Sequence, residues 1–363
     1  MICPAKPDSV EFSEKILHFY KQNKRELPWR ENPEPYKIWL SEIIMQQTRI
    51  AQGTKYYLNL LEKYPTVFDL AKAEEQEILY HWQGLGYYSR ARNLHATAKV
   101  ISEKYAGKFP HTYKELKNLK GIGDYTASII LSVCFDEAIP AVDGNVLRVI
   151  ARIFGIEEAV NKTDGAKKIK TIVSDKISRT QPGDFNQALM DFGAMICTPK
   201  SPQCIQCPFV PECFALQHNA IDRLPLKIKN KPPEELFLYY FVFTDKQNRT
   251  AIKKRQKNIW KGLFEFPSVI SPKKLNEKNL FSQFHKNYPD VPSFELSPIP
   301  PYQKHLLSHK KLHIAFLEIS GTFTPTDNYI LVNQQDLSRY PFPIVLKKYI
   351  EKKQGNLLFT DKQ

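Results

Sequence analysis

Leu116-Lys-Asn-Leu119-Lys120-Gly121-Ile122-Gly123-Asp124-Tyr125-Thr-Ala, continued through an apolar segment to Ala141-Val142-Asp143-Gly144-Asn145, is the stretch on which the reading of this chain turns. Two glycines flank one apolar residue between two helical patterns. Gly121 and Gly123 can take positive φ, so the chain can turn sharply and bring bare backbone close to a ligand. Asp124 reads as the N-cap of a helix over 125–134. The free amides at such a helix start bind anions, a nucleic-acid phosphate among them. Asp143 closes the apolar segment just before Gly144, where a carboxylate would lie buried near whatever the hairpin holds. Taken alone, the same pattern also fits an ordinary helix-turn-helix corner with a capping aspartate, because Gly-x-Gly turns are common.

The 363 residues are enough for two domains and a large core. Lysine and arginine total 52 against 38 acidic residues, a net charge of +14. That balance favours a polyanionic partner, although net charge speaks to association and not to fold. Met1 to Val10 holds no apolar core of a signal peptide, so no secretory signal is expected. No apolar run reaches the roughly 18 residues of a membrane span, so none is expected. Four of the six cysteines fall between 197 and 213. In a large chain without a secretory signal, such clustering points to a metal site in a reducing compartment, and a cytoplasmic location is expected. Cys3 and Cys134 read as plain thiols.

Residues 11–24 pattern as an amphipathic helix. Leu27-Pro28-Trp29-Arg30 reads as an irregular entry, with Pro33 and Pro35 keeping it out of helix. A long helical pattern then runs from Tyr36 through Gln47 and Thr48. Glu42 lies on it among Ile38, Trp39, Met45 and Gln46, mostly apolar neighbours at helical spacing. Buried, its pKa would rise and it would be a proton donor near neutrality; facing water, it would merely favour the helix dipole. Helical segments continue to about 196, with no convincing strand before about 235. Gly84-Leu-Gly86-Tyr87-Tyr88-Ser-Arg90-Ala-Arg92 joins a glycine turn to aromatic and basic side chains. That mixture suits a nucleic-acid surface with a ring wedged between bases, or equally a helix start with core tyrosines.

Cys197-x₆-Cys204-x₂-Cys207-x₅-Cys213, interspersed with Pro199, Pro202, Pro208 and Pro211, would close around one metal centre. Four cysteines suit zinc or an iron–sulfur cluster, but a zinc ribbon pairs two C-x₂-C knuckles and only one is present. Residues 218–234 read as a charged linker. Beyond it the pattern turns to strands: a buried strand at 235–243, a second at 250–254, a turn into a short strand at 262–267, and others at 315–319 and 329–332. Helices are expected at 275–288 and 344–353. This is an α/β or α+β domain of about 120 residues.

These pieces together resemble the helix-hairpin-helix DNA glycosylase superfamily. Leu27-Pro-Trp-Arg30, Trp39-Leu-Ser-Glu42-Ile-Ile-Met-Gln-Gln47-Thr48, Gly84 to Arg92, Val142-Asp143-Gly-Asn145-Val146 and Gly193-Ala-Met-Ile-Cys197 look specifically like the MutY-type adenine DNA glycosylases. The similarity covers most of 25–225, with Gly262 to Pro267 and Leu307-Ser308-His309 farther on. It implies a multi-domain chain: an all-α helix-hairpin-helix glycosylase domain with an iron–sulfur loop, then a smaller α/β Nudix-like domain. The expected boundaries are 1–217 for the first domain (a helical module at about 30–135 and a cluster module from 1–29 and 136–217), 218–234 for the linker, 235–353 for the second domain and 354–363 for a tail. The implied substrate is double-stranded DNA in which adenine lies opposite 8-oxoguanine, and a monomer is expected.

The resemblance also implies roles. Glu42 matches the general acid that protonates adenine N7, Asp143 the carboxylate facing the sugar, and Tyr125 and Asn145 residues that assist there. This parallels retaining glycoside hydrolysis, which needs one protonated and one ionised carboxyl group. Base flipping follows, since adenine inside a duplex is out of reach. Cys197, Cys204, Cys207 and Cys213 would hold a [4Fe–4S] cluster. Arg25, Trp29, Arg30, Gln47, Tyr88, Gly121, Gly123 and Gln187 match DNA or substrate contacts, Gln47 and Tyr88 as stack-filling or wedging side chains. Ser308 and His309 match the loop that meets 8-oxoguanine; Leu307 stands where the family often has an aromatic residue. Endonuclease III-type relatives carry a lysine where this chain has Tyr125. A phenol cannot form an imine with an abasic sugar, so a monofunctional glycosylase is expected. After Phe266-Pro267 there is no Arg-Glu-x-x-Glu-Glu set to hold Mg²⁺, so no nucleotide pyrophosphatase activity is expected. Two other readings are an endonuclease III-like glycosylase/lyase for oxidised pyrimidines and a non-catalytic iron–sulfur DNA-binding protein. Tyr125 argues against the first, and the pair Glu42 and Asp143 against the second.

Overall fold

The computed structural model describes residues 8–229, 232–292, 294, 298–321, 323 and 328–360, the last five as backbone. Cys3 lies outside the described residues. The chain divides into two compact units, Met1–Lys72 with Asn93–Asn230 and Ala73–Arg92 with Lys231–Gln363. The segment 73–92, which the sequence pattern assigns to the helical domain, thus groups with the second unit.

The first unit is helical. Ser9–Asn23 starts on Asp8, whose carboxylate accepts from the Glu11 amide at 2.7 Å. It buries Phe12, Ile16, Phe19 and Tyr20 along one stripe. That stripe meets the helix Pro182–Met195 through Phe19 against Phe192, 5.2 Å apart edge to face, and Phe12 against Phe185 at 6.3 Å. The prolines read as helix breakers act otherwise. Pro28 opens a single turn, Pro28–Glu31, and Pro35 opens Pro35–Met45. At the first helical position the missing N–H costs nothing and the fixed φ is already helical. The second of these helices stops at Met45 and does not run on through Thr48: Gln46 leaves the helical region and Gln47 is left-handed at φ 56°. Asp124–Cys134 is buried along most of its length, and Gly144–Phe154 from Val146 onward with few breaks. The latter ends on Gly155 at φ 67°, a left-handed C-cap suited to glycine.

The second unit carries strands β1 (Glu234–Thr244), β2 (Arg249–Lys254), β3 (Phe264–Glu265), β4 (Ser268–Ser271), β5 (Gln303–Leu306), β6 (Lys310–Ser320) and β7 (Tyr329–Asn333). One sheet has the order β4-β1-β6-β5 and the other β3-β2-β7. β1 and β6 run parallel in register, Glu234 opposite Lys310 through Thr244 opposite Ser320. β1 is apolar without alternation because both of its faces are covered. Leu238, Tyr240 and Val242 pack with Leu346 and Ile350 of the helix Ile344–Thr360. Tyr239, Phe241 and Phe243 pack with Leu280 and Phe284 of the helix Glu277–Asn287. Residues 305–314, which pattern as a lead-in to one strand, form a hairpin instead, β5 turning through Leu307, Ser308 and His309 into β6. The tail expected to start at 354 has no break before it, because the last helix continues to Thr360.

Candidate active site

A cavity of about 1140 Å³ opens in the first unit. Glu42, Tyr125, Asp143, Asn145, Arg25, Trp29, Arg30, Gln47 and Gln187 all line it. Residues singled out from Arg25 to Gln187 in the sequence thus meet at one place. Gly121 and Gly123 sit at the hairpin, and Tyr88, Ser308 and His309 belong to the second unit.

Glu42 projects from Pro35–Met45, with Ile38 and Met45 beside it on the cavity wall. Burial pushes its carboxyl up to about 7. A hydrogen bond from Tyr125 and the charge of Arg30 pull the other way, while Asp143 adds to the rise. The Tyr125 phenol is itself held well above its ordinary value, first by burial and then by the two carboxylates, so it stays a donor. Its hydroxyl also lies 3.2 Å from Met190 Sδ.

Asp143 is the N-cap of Gly144–Phe154. Its Oδ1 accepts from the amides of Asn145 and Val146, each at 2.8 Å, and its Oδ2 from Asn145 Nδ2 at 2.8 Å. Burial raises its pKa above the ordinary carboxylate value, and these three donors with the charge of Arg148 restrain the rise. The two carboxyl groups therefore differ in kind. Glu42 has one phenolic donor and retains a proton near neutrality; Asp143 is wrapped in donors suited to a carboxylate.

The helix Pro182–Met195 supplies a partner to each piece of this site, and most of those partners carry no signal in the sequence. Asn186, fully buried, accepts from the Ala141 amide at 3.0 Å and donates to Ile139 O and Ser132 Oγ at 2.9 Å, which fixes the extended run leading into Asp143. Gln187 accepts from the Tyr20 hydroxyl at 3.3 Å. Asp191 grips Arg25 and Arg30. At Gly193 an added Cβ would lie 2.7 Å from Asn145 Cβ and 3.2 Å from its backbone, so the close approach of the two helices requires glycine. Arg148 completes the frame, donating to Gly193 O at 2.6 Å and Asn145 Oδ1 at 3.0 Å. That second bond turns the Asn145 amide so that its NH₂ faces Asp143.

At the hairpin only Gly121 has positive φ, 82°; Gly123 is extended at φ −90° and is itself the N-cap of Asp124–Cys134. Asp124, expected as the cap, is the first helical residue. Its carboxylate is taken instead by the Tyr113 hydroxyl at 2.8 Å and by Lys117. Gly121 packs against Asn93, where an added Cβ would lie 2.9 Å from Asn93 Cβ. Lys120 O accepts from Thr97 Oγ1 at 2.8 Å.

Residues 40–176 match the HhH-GPD superfamily of base excision DNA repair proteins, and residues 239–352 match the NUDIX domain. An adenine DNA glycosylase of Buchnera aphidicola subsp. Schizaphis graminum is 36% identical over 317 residues, spanning 86% of this chain and 88% of that protein. The chain belongs to the adenine DNA glycosylases. Members of this family are hydrolases of N-glycosidic bonds in base excision repair. The human adenine DNA glycosylase is 40% identical over 215 residues, 57% of this chain and 39% of the relative. Among solved structures, a thermostable thymine-DNA glycosylase is 31% identical at a TM-score of 0.53, over 57% of this chain and 95% of that one. A non-covalent endonuclease III–DNA complex shares the fold at 23% identity and a TM-score of 0.51, over 59% of this chain and 98% of that one.

Elsewhere in the first unit, Cys197, Cys204, Cys207 and Cys213 line one small hollow, with Arg152 and Ile153 also in its wall. Arg152 is buried, and its guanidinium donates to the carbonyls of Thr198, Pro199, Ile221 and Leu224 at 2.7 to 3.0 Å and approaches Cys197 Sγ at 3.6 Å. Among the described residues no three His, Cys, Asp or Glu side chains are grouped to hold a single metal ion. The donor set fits a larger thiolate-bound centre, four sulfurs around one hollow with a cation at its edge. No helix among the described residues is long and apolar enough to cross a membrane.

In the second unit Tyr88 is buried and its hydroxyl accepts from the Gly84 amide at 3.4 Å, which fits a core ring better than a wedge. Tyr87 beside it is exposed, at φ 47°. Ser308 and His309 are exposed on the β5–β6 turn, Ser308 Oγ 3.2 Å from His309 Nδ1, while Leu307 packs inward.

Proposed function

We propose that the chain removes adenine lying opposite 8-oxoguanine in duplex DNA, with Glu42 as general acid and Asp143 as the carboxylate facing the sugar. The observation that carries this reading is the pairing, in one cavity, of a carboxyl raised to about 7 and a second carboxyl held by three donors. Adenine flipped into the cavity takes the Glu42 proton on N7. The C1′–N9 bond then breaks with its electron pair leaving on a neutral base. Asp143 faces the resulting oxocarbenium ion and stabilises it by charge or by a transient bond. Water adds to C1′ and gives up its proton, leaving an abasic site. Tyr125 and Asn145 orient the two carboxyl groups. Arg25, Trp29, Arg30 and Gln187 surround the base. Gln47, exposed at the cavity mouth in a left-handed conformation, fills the vacated stack. The hairpin at Gly121 to Gly123 takes a phosphate.

The cysteine site would hold a [4Fe–4S] cluster through Cys197, Cys204, Cys207 and Cys213. When bound it crosslinks the loop; Arg152 and Arg148 tie that loop's carbonyls to the helix Gly144–Phe154. Ser308 and His309 are the exposed donors suited to the oxidised base, and Tyr87 takes the wedging role expected of Tyr88. Tyr125, which cannot form an imine, supports a monofunctional reaction.

The test is Glu42→Gln on a duplex with adenine opposite 8-oxoguanine. DNA binding should persist while single-turnover adenine release falls by roughly a thousandfold or more. Retention of both would remove Glu42 from the role of acid.

A further inference from the structure

Asp191 has no place in the chemistry above, yet it is fully enclosed beside the cavity, its side chain 0% exposed. Oδ1 accepts from Arg25 Nε at 2.8 Å and Arg30 Nη2 at 3.0 Å, and Oδ2 from Arg30 Nη1 at 2.7 Å; Arg25 Nη2 also reaches Oδ1. Arg30 further lies over the Tyr20 ring at 5.7 Å and is 6% exposed. Both arginines line the base cavity, whereas Asp191 stands behind them. The triad carries a net positive charge, which makes it a poor device for stability alone, since buried ion groups seldom outperform apolar packing.

We propose that Asp191 is a positioning residue for adenine release. It fixes Arg25 and Arg30 as a rigid pair of donors in the cavity wall and offsets the positive charge that Arg30 brings to the cavity it lines with Glu42. The inference deepens the reading of Glu42 as acid and rests on it. The charged and titratable groups facing Glu42 are Tyr125 from Asp124–Cys134, Asp143 from the start of Gly144–Phe154, and Arg30 from Pro28–Glu31. Asp143 and burial hold the proton on Glu42; Tyr125 and Arg30 draw it off. Without the Asp191 charge, the Arg30 guanidinium is unopposed and tips that balance toward the carboxylate.

The experiment follows single-turnover adenine release by the full-length holoenzyme from the acid to the alkaline side of neutrality. In Asp191→Asn the alkaline limb should move to lower pH by roughly one unit, from Coulombic coupling at intermediate dielectric. Arg30→Gln should move it to higher pH, and the double variant should return it toward its original place. A structural role alone would lower the rate equally at all pH. An alkaline limb unmoved in Asp191→Asn, or a double variant no nearer the parent than the single one, overturns the proposal. If Asp191→Asn does not fold alone, the double variant against Arg30→Gln decides: a limb lower in the double variant than in Arg30→Gln supports the proposal, and a limb equal in the two overturns it. Glu42→Gln is run alongside. Adenine release with an intact alkaline limb in that variant would bring down the reading of Glu42 itself, a failure distinct from an Asp191 variant whose limb stays in place.

Discussion

Arg148 donates through Nε to the backbone oxygen of Cys197 at 2.7 Å. One residue of the four-cysteine loop is thereby joined to the helix that Asp143 caps. The same guanidinium reaches Asn145 Oδ1 and Gly193 O. Arg148→Gln removes the orienting bond on Asn145 and takes the donor from the buried Gly193 carbonyl, at about 1–3 kcal/mol, and from the part-buried Cys197 carbonyl, at less. Adenine release should fall by roughly tenfold or more, and the proposed cluster should be held less firmly as the loop loosens. Unchanged release and iron content would show that the bridge is incidental.

The pH dependence follows from Glu42. As the proposed acid it is competent only while protonated, so single-turnover release should fall about tenfold per pH unit above about 7. In the proposed mechanism the acid-side limb is that of Asp143, acting as a carboxylate; its pKa is raised, so that limb should lie above the ordinary carboxylate range. Stability moves with the same group. A carboxyl raised in the folded state contributes stability that is present below its unfolded pKa of about 4.5 and is lost as pH rises through about 7. Glu42→Gln should therefore melt higher than the parent above neutrality. A release profile flat across pH 7 to 9, roughly one hundredfold short of the expected fall, would contradict the assignment.

Gly193→Ala forces a methyl group against Asn145. Overpacking of this kind costs about 1–3 kcal/mol. The variant should melt several degrees lower and lose adenine release more than DNA binding, because the displaced residue is the one that holds Asp143. Equal losses in binding and release would place the damage in the fold as a whole.

Tyr125→Lys puts an amine where the phenol touches Glu42. If the sugar carbon lies between Glu42 and Asp143, that amine can form an imine with the abasic product. Borohydride should then trap a covalent protein–DNA complex that the parent does not give. No trapped complex in a folded Tyr125→Lys would mean that position 125 does not face C1′.

Much of this site is legible in the sequence, for reasons that differ by residue. Glu42 shows itself as a carboxylate on an apolar helical face, Asp143 as an acid before Gly-Asn, and the cysteines by spacing. Asp191, Asn186 and Arg148 do not. Each is a polar residue with partners far away in the chain, Arg148 in addition to the nearby Asn145, and nothing in the local pattern distinguishes it from a solvated side chain. Gly193 stands out only as part of a motif; its cause, contact with Asn145, exists only after two helices pack. Sequence does not separate Tyr87 from Tyr88 for a related reason. Adjacent rings at a turn point in different directions, and the left-handed backbone at Tyr87 accompanies the one that is exposed. Prolines mislead because the same residue that ends one helix opens the next. The hairpin at Ser308 is hidden because Leu306 to His313 has no Gly, Pro, Asn or Asp, and a lone Ser308 is a weak signal of a reversal.

The most direct measurement is a single-turnover assay on two duplexes, one with adenine opposite 8-oxoguanine and one with thymine glycol, each read with and without alkali. Strand breaks at the adenine site only after alkali, and none at thymine glycol, are the expected result. Spontaneous nicking at thymine glycol with adenine left in place would contradict the account.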